Sequence, residues 1–139
     1  MICLGLDLST QSLSAVLIDS AAGKIIHEKS INFAESFPEF ETENGFIRGK
    51  NQAFYSYPQL YLKAIDKMML ALEAYAPKIE TISISGHQHA SVYLKDNFTQ
   101  ILTELKASAE LNKSLTPSFS RPIVPIWMDN STSEECKEM

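Results

Sequence analysis

Two short stretches of this chain carry residues whose types and spacing could do chemistry, Asp7-Leu8-Ser9-Thr10-Gln11-Ser12 and Ser85-Gly86-His87-Gln88-His89-Ala90. In the first, three hydroxyls, an amide and the backbone N–H groups of a bend follow an aspartate. Such a tip can hold a phosphate. Asp7 beside it could hold Mg²⁺, directly or through water, because Mg²⁺ takes oxygen ligands, keeps several waters and bridges carboxylates to nucleotide phosphates. On spacing alone, an ordinary hairpin that is polar because turns are polar explains the same residues. The histidines of the second stretch admit three readings. As a metal pair, positions i and i+2 in extended backbone point the same way, yet no third ligand at matching spacing is visible. As structural histidines they would be commonplace. As hydrogen-bonding groups they suit a sugar, since a neutral imidazole carries one donor and one acceptor.

The elements that must position these residues follow from periodicity. Ile2 to Asp19 is an apolar run, a polar break at residues 7–12 and a second apolar run, which predicts a strand-turn-strand hairpin. Gly23 marks another turn, and residues 24–33 alternate as a third strand. Strands joined by such short turns must be antiparallel neighbours, because parallel partners need a crossover of a dozen or more residues. His27 falls in the third strand and reads as a surface residue. Regular periodicity then stops until Pro58, over a stretch rich in aromatics that predicts a partly packed loop. Leu60, Tyr61, Ala64, Ile65, Met68, Leu72 and Tyr75 recur at helical spacing, with Pro58 in the first turn, Ser56 or Tyr57 available as cap and Pro77 as the stop. This is a helix of about five turns whose Met and Tyr stripe is core. The β-branched run Ile79 to Ser85 follows as a strand, expected parallel to the first and beside it. Ligands of open α/β sheets collect outside the carboxyl ends of such strands, so Asp7 and His89 should open on one crevice. Residues 92–95 are expected as a short strand and 98–115 as at least partly helical. Residues 122–127 read as a strand whose Pro125 puts it at an edge or bulge. Ser131 and Glu134 form a capping box that announces a helix with roughly two turns of chain left, which leads us to expect a truncated domain.

Bulk properties exclude several classes. With 139 residues and 45% apolar content the chain has enough for a core of one domain. Its 17 acidic residues against 12 basic ones, net charge −5, and the lack of a Lys/Arg cluster argue against nucleic acid as partner. Cys3 and Cys136 show neither a metal-ligand nor a disulfide pattern, as in a reducing compartment. No membrane span or signal-like N-terminus is visible, so cytoplasm is the expected location.

Asp7-x-Ser9-Thr10-Gln11-Ser12 after Leu4-Gly5-Leu6 resembles the first phosphate-binding hairpin of the actin-like ATPase fold, in the form used by FGGY carbohydrate kinases. The resemblance puts Asp7 near Mg²⁺ and the γ-phosphate and puts Thr10, Gln11 and Ser12, with Ser9 in the same bend, along the phosphate path. Phe37-Pro38-Glu39-Phe40-Glu41-Thr42-Glu43-Asn44-Gly45 looks more like the xylulokinase branch than the glycerol kinases. Ser85-Gly86-His87-Gln88-His89-Ala90-Ser91-Val92-Tyr93-Leu94 resembles that branch's Ser-Gly-x-x-His-Gly segment, which assigns the sugar-hydroxyl contact to His89 with Gln88 beside it; Ala90 replaces the family glycine. Arg121-Pro122 through Trp127-Met128-Asp129-x-Ser131-Thr132 is similar to the strand and helix start that border the sugar pocket, so Trp127, Asp129 and Asn130 join the candidates. A buried anchor tryptophan and a helix N-terminal aspartate would explain Trp127 and Asp129 equally well.

What the resemblance implies is an α/β domain of ribonuclease-H-like (actin-like ATPase) type. Its mixed sheet would have three N-terminal antiparallel strands, followed by parallel strands and helices. Residues 1–139 would be the N-terminal part of the first, sugar-binding domain, with the second, ATP-closing domain absent. The implied activity of the intact protein is ATP- and Mg²⁺-dependent phosphorylation of a ketopentose, D-xylulose at its 5-hydroxyl. No catalytic residue is expected here, because the family base is an aspartate that would lie beyond Met139, and the fragment alone is expected to be inactive. The implied partners are a sugar and ATP, with no nucleic acid and no membrane; a homodimer of the intact protein is left open. The alternatives are a kinase for ribulose, another ketose or a polyol, and a non-catalytic actin-like sugar-binding domain.

Overall fold

The computed structural model describes residues 1–138. Strands β1 (Ile2–Leu8), β2 (Ser12–Asp19) and β3 (Lys24–Asn32) form consecutive antiparallel hairpins. Alternation sets their faces, since successive side chains of a strand point to opposite sides. Leu4, Leu6, Leu13, Ala15, Leu17 and Ile31 all fall on one side and are buried. Asn32 ends β3 by capping the one-turn helix α1 (Phe33–Ser36), its Oδ1 accepting the Glu35 N–H at 3.1 Å.

The aromatic stretch that follows is packed. Phe33, Phe37 and Phe46 are buried, and short strands β4 (Ile47–Arg48) and β5 (Phe54–Ser56) pair antiparallel. Helix α2 (Pro58–Ala71) then lays Leu60, Tyr61, Ala64 and Met68 onto the buried face of the sheet. Each fully buried Leu or Met in such a layer is worth about 1.5–3 kcal/mol of transfer free energy. The α-helix is shorter than its periodicity suggests: after Leu72 the chain tightens into a 3-10 segment, Glu73–Lys78, that contains Pro77. Pro77 stands next to the end of that segment, where its missing N–H removes only one bond of the short 3-10 ladder. Tyr57 occupies the N-cap position, with Pro58 first in the helix, but no side chain makes the cap bond. The Ser56 hydroxyl donates to the Gly45 carbonyl instead, at 3.0 Å.

Strand β6 (Ile79–Ser85) lies parallel to β1, giving the order β3-β2-β1-β6. Leu4 and Leu6 face Ile82 and Ile84 in register, yet those isoleucines are 63% and 56% exposed, because α2 does not reach across β6. From here the expectations diverge from the structure. Residues 92–95 form no strand; Leu94 makes only an isolated bridge to Phe119. Residues 98–115 split into α3 (Phe98–Thr103) and α4 (Leu111–Leu115). Asp66 on α2 accepts the Leu111 and Asn112 N–H groups at 2.9 and 2.8 Å, supplying from another helix the cap that α4 lacks. Strand β7 (Val124–Pro125) is only two residues long. It is the edge of the small sheet β4-β5-β7, where a proline costs no ladder bond. The Ser131/Glu134 box does not form. Asp129 Oδ1 takes the Ser131 N–H at 3.1 Å, residues 131–134 are turns, and α5 starts only at Glu135 (Glu135–Glu138). In place of the further parallel strands expected after β6, the described residues there form short helices and β7, which joins the earlier β4 and β5.

Candidate functional site

The β1–β2 turn is a small, self-bonded structure. The Ser9 N–H donates to the Ser12 carbonyl at 3.0 Å, and the Ser9 hydroxyl reaches the same carbonyl at 3.2 Å. Thr10 and Gln11 are thereby carried to its tip. Because β6 runs parallel to β1 with Ser85 opposite Asp7, the residues leaving β6 emerge beside this tip. Gly86 to His89 then bends across it, with His89 in the left-handed region at φ +53°. Between the two segments lies a crevice of about 360 Å³ lined by Asp7, Leu8, Ser9, Thr10, Ser85, Gly86, His87, Gln88, His89 and Trp127. Trp127 also walls a neighbouring hollow of about 300 Å³, where Ser9, Thr10, Gln11 and Ser12 meet Phe46 and Met128. A larger groove, about 550 Å³, crosses the outer face of the sheet over Gly5, Ser14, Ser30 and Ser83 and touches Asp7 at its end. Its lining adds Glu28, Lys29 and Ser85 but neither histidine of the 86–90 bend nor Thr10 of the tip, which meet in the crevice instead.

Of the candidates, Asp7, Ser9, Thr10, Gln88, His89 and Trp127 share the crevice, while Gln11 and Ser12 face the adjoining hollow. Asp129 and Asn130 line neither. Asp129 holds its turn through Ser131, and Asn130 bonds to the Met128 carbonyl through its side chain and to the Gln52 carbonyl through its N–H. Trp127 is not the buried anchor that competed with its site reading: it is 58% exposed, and its indole N–H donates to Thr10 Oγ1 at 3.1 Å. Asp7 is exposed at the rim, and among the described residues no group of three His, Cys, Asp or Glu side chains converges as a metal cage.

Two contributors were not singled out from sequence. Tyr61 belongs to the core stripe of α2, but its hydroxyl lies 2.8 Å from His87 Nδ1, and His87 Nε2 lies 3.2 Å from Thr10 Oγ1. Burial pushes the Tyr61 phenol up to about 12, a little offset by the Ser56 hydroxyl, and burial holds the His87 imidazolium below the ordinary histidine range. A tyrosine where phenylalanine would pack as well is the signal available in sequence, since a buried phenol needs a partner. The second contributor is Gly45. At φ +88° it presses against the tip so closely that a Cβ there would stand 2.2 Å from the Thr10 carbonyl oxygen. The aromatic loop thus braces the hairpin tip from outside.

Comparison with known proteins shows what the chain as a whole is similar to. Xylulose kinase of Rattus norvegicus is 32% identical over 141 residues, covering 99% of this chain and 26% of that protein. Xylulose kinase of Schizosaccharomyces pombe is 36% identical over 138 residues, covering 98% of this chain and 24% of that protein. Along its whole length the chain is thus similar to a part of the xylulose kinases. It spans about a quarter of the length of these curated relatives. No protein-family model matches it. Among solved structures, a xylulose kinase from Brucella ovis superposes with TM-score 0.65 at 23% identity, covering 99% of this chain and 23% of that one. A Plasmodium falciparum glycerol kinase solved with ADP gives 0.61 at 17% identity, covering 99% and 22%. The fold of this xylulokinase-like chain is accordingly that of the actin-like ATPase sugar kinases. No helix among the described residues is long and apolar enough to cross a membrane.

Proposed function

We propose that the intact protein is an ATP-dependent ketopentose kinase that phosphorylates D-xylulose at its 5-hydroxyl, with this chain as the first part of its sugar-binding domain. The observation that carries the reading is the crevice itself. Parallel pairing of β1 and β6 brings the hydroxyl-rich tip with Asp7 and the Gly86–His89 bend to the same end of adjacent strands. Phosphoryl transfer needs an acceptor held in line and phosphates whose charge is neutralised. His89 and Gln88 stand where they could orient sugar hydroxyls, and Ser9, Thr10, Gln11 and Ser12 where they could donate to phosphate oxygens.

A single exposed carboxylate, Asp7, fits Mg²⁺, which is usually held by one or two carboxylates together with waters and substrate phosphates rather than by a full protein cage. When bound there, the metal would supply charge neutralisation at the phosphates. Asp7 would then serve as its anchor rather than as a base, and Asp129, committed to its turn, is no better placed for proton abstraction. We therefore assign the catalytic aspartate and most adenosine contacts to parts of the intact protein outside this chain, including a second domain that closes over ATP. Supporting the assignment are whole-chain similarity to xylulose kinases and the ADP-bound glycerol kinase of the same fold.

The test is ATP consumption by the intact protein with Mg²⁺ against D-xylulose, D-ribulose, xylitol and glycerol in parallel. Selective turnover of D-xylulose is the expected result. Preference for another acceptor would retain the kinase and sink the xylulose assignment. No turnover with any acceptor would favour a non-catalytic sugar-binding domain.

A further inference from the structure

The hydrogen bonds around Thr10 determine what its hydroxyl can offer. The Trp127 indole N–H is a donor only, so at 3.1 Å the Thr10 oxygen must accept from it. The second contact, His87 Nε2 at 3.2 Å, runs in a direction set by the imidazole tautomer. Tyr61 settles that direction from the other side of the ring. Its side chain is only 6% exposed, and among the described residues its hydroxyl hydrogen-bonds only to His87 Nδ1. Were Nδ1 protonated, the phenolic hydrogen would have only the nearby Ser56 oxygen to turn to, a hydroxyl that donates to the Gly45 carbonyl and forms no hydrogen bond with Tyr61 in this structure. An unmade bond on a buried donor is the costlier outcome.

We propose that Tyr61 donates to Nδ1, His87 Nε2–H donates to Thr10, and Thr10, accepting from both His87 and Trp127, presents its proton alone to the crevice. His87 is then a positioning residue. It converts a freely rotating hydroxyl, able to donate or accept, into a fixed donor suited to an anionic oxygen. The crevice-side ligand of that proton is a phosphate oxygen of a nucleoside triphosphate, an assignment that rests on the kinase reading above. The relay also ties α2 to the hairpin tip across 77 residues of sequence between Thr10 and His87.

The tautomer is read directly from ¹⁵N shifts of the His87 ring in the labelled chain at neutral pH, with no ligand and no turnover required. The expected pattern is a pyrrole-type Nε2 and a pyridine-type Nδ1. Tyr61→Phe, which removes one oxygen from a buried ring, should abolish that fixed pattern while the remaining backbone spectrum stays dispersed. A pyrrole-type Nδ1, a mixed tautomer in the unsubstituted chain, or a ring indifferent to Tyr61→Phe would overturn the relay.

In the intact protein, Tyr61→Phe touches no ligand and should raise the KM for ATP roughly three- to tenfold, the range for one hydrogen bond, without moving the KM for the sugar. His87→Gln should restore the ATP constant relative to His87→Ala. Its amide can accept from Tyr61 and donate to Thr10 with the same polarity. Equal loss in both His87 variants would contradict the positioning role. A chain that shows the fixed tautomer while the intact protein binds no ATP would refute the phosphate assignment and the kinase reading and leave the relay standing.

Discussion

Replacing Gly45 by alanine should loosen the hairpin tip by an amount that can be separated into two causes. At φ +88° an L-residue pays a backbone penalty of about 1–2 kcal/mol, the cost of the left-handed region. The new methyl group would also stand 2.2 Å from the Thr10 carbonyl oxygen and 3.1 Å from both Gln11 Cα and Phe33 Cδ2. Two of those atoms are backbone, so the gap must open by roughly an ångström at the tip, and forcing atoms into a packed site costs typically about 1–3 kcal/mol. The sum is about 2–5 kcal/mol. Gly23 provides the control, because it has φ +63° and a Cβ added there would meet nothing within 4 Å, so Gly23→Ala should cost only the backbone part. Urea unfolding separates the two. With a slope of about 2 kcal/mol per molar, the midpoint should fall by about 0.5–1 M for Gly23→Ala and by about 1–2.5 M for Gly45→Ala. Equal shifts would refute the argument that the loop braces the tip by direct contact.

Other outcomes follow from the same structure. Leu13→Ala removes a fully buried side chain under α2 and should cost about 2–5 kcal/mol in the same urea assay. Asp66→Ala strips α4 of both capping bonds and should cost about 1–2 kcal/mol, with faster amide exchange confined largely to residues 111–115. Glu39→Gln breaks the exposed pair with Lys63 and should change stability by less than about 1 kcal/mol, a result that larger losses would contradict. Because burial holds His87 below its ordinary value of 6.5, the unfolded chain takes up that proton first as pH falls. His87 should therefore subtract stability progressively below pH 6.5, down through its folded-state pKa, and none above it. Unfolding curves of the unsubstituted chain and His87→Gln should diverge in that window.

The first half of the fold is legible because its signals are local. Period-two alternation through Leu13, Ala15 and Leu17 and the short turns at residues 9–11 and 20–23 leave antiparallel pairing as the available topology. The helix after Pro58 then requires β6 to return parallel to β1. Past Ser85 the sequence loses period, and tertiary partners decide. Asp66 caps a helix 45 residues away, β7 exists only by pairing with β5, and Asp129 takes the Ser131 N–H that Glu134 would accept in a capping box. At the site, placing Asp7 and His89 on one crevice needed only the parallel strand rule. The Tyr61–His87–Thr10 chain joins three distant segments, and no spacing in the sequence encodes it.

The most direct test of the central claim is a pair of kinetic profiles on the intact protein, Thr10→Val and His89→Ala, each with ATP and D-xylulose varied separately. The account predicts a split: Thr10→Val impairs kcat and the KM for ATP and spares the KM for D-xylulose, while His89→Ala raises the KM for D-xylulose and spares that for ATP. Identical profiles for the two variants, or a full-activity enzyme in either case, would contradict the assignment of phosphate to the hairpin tip and sugar to the segment after β6.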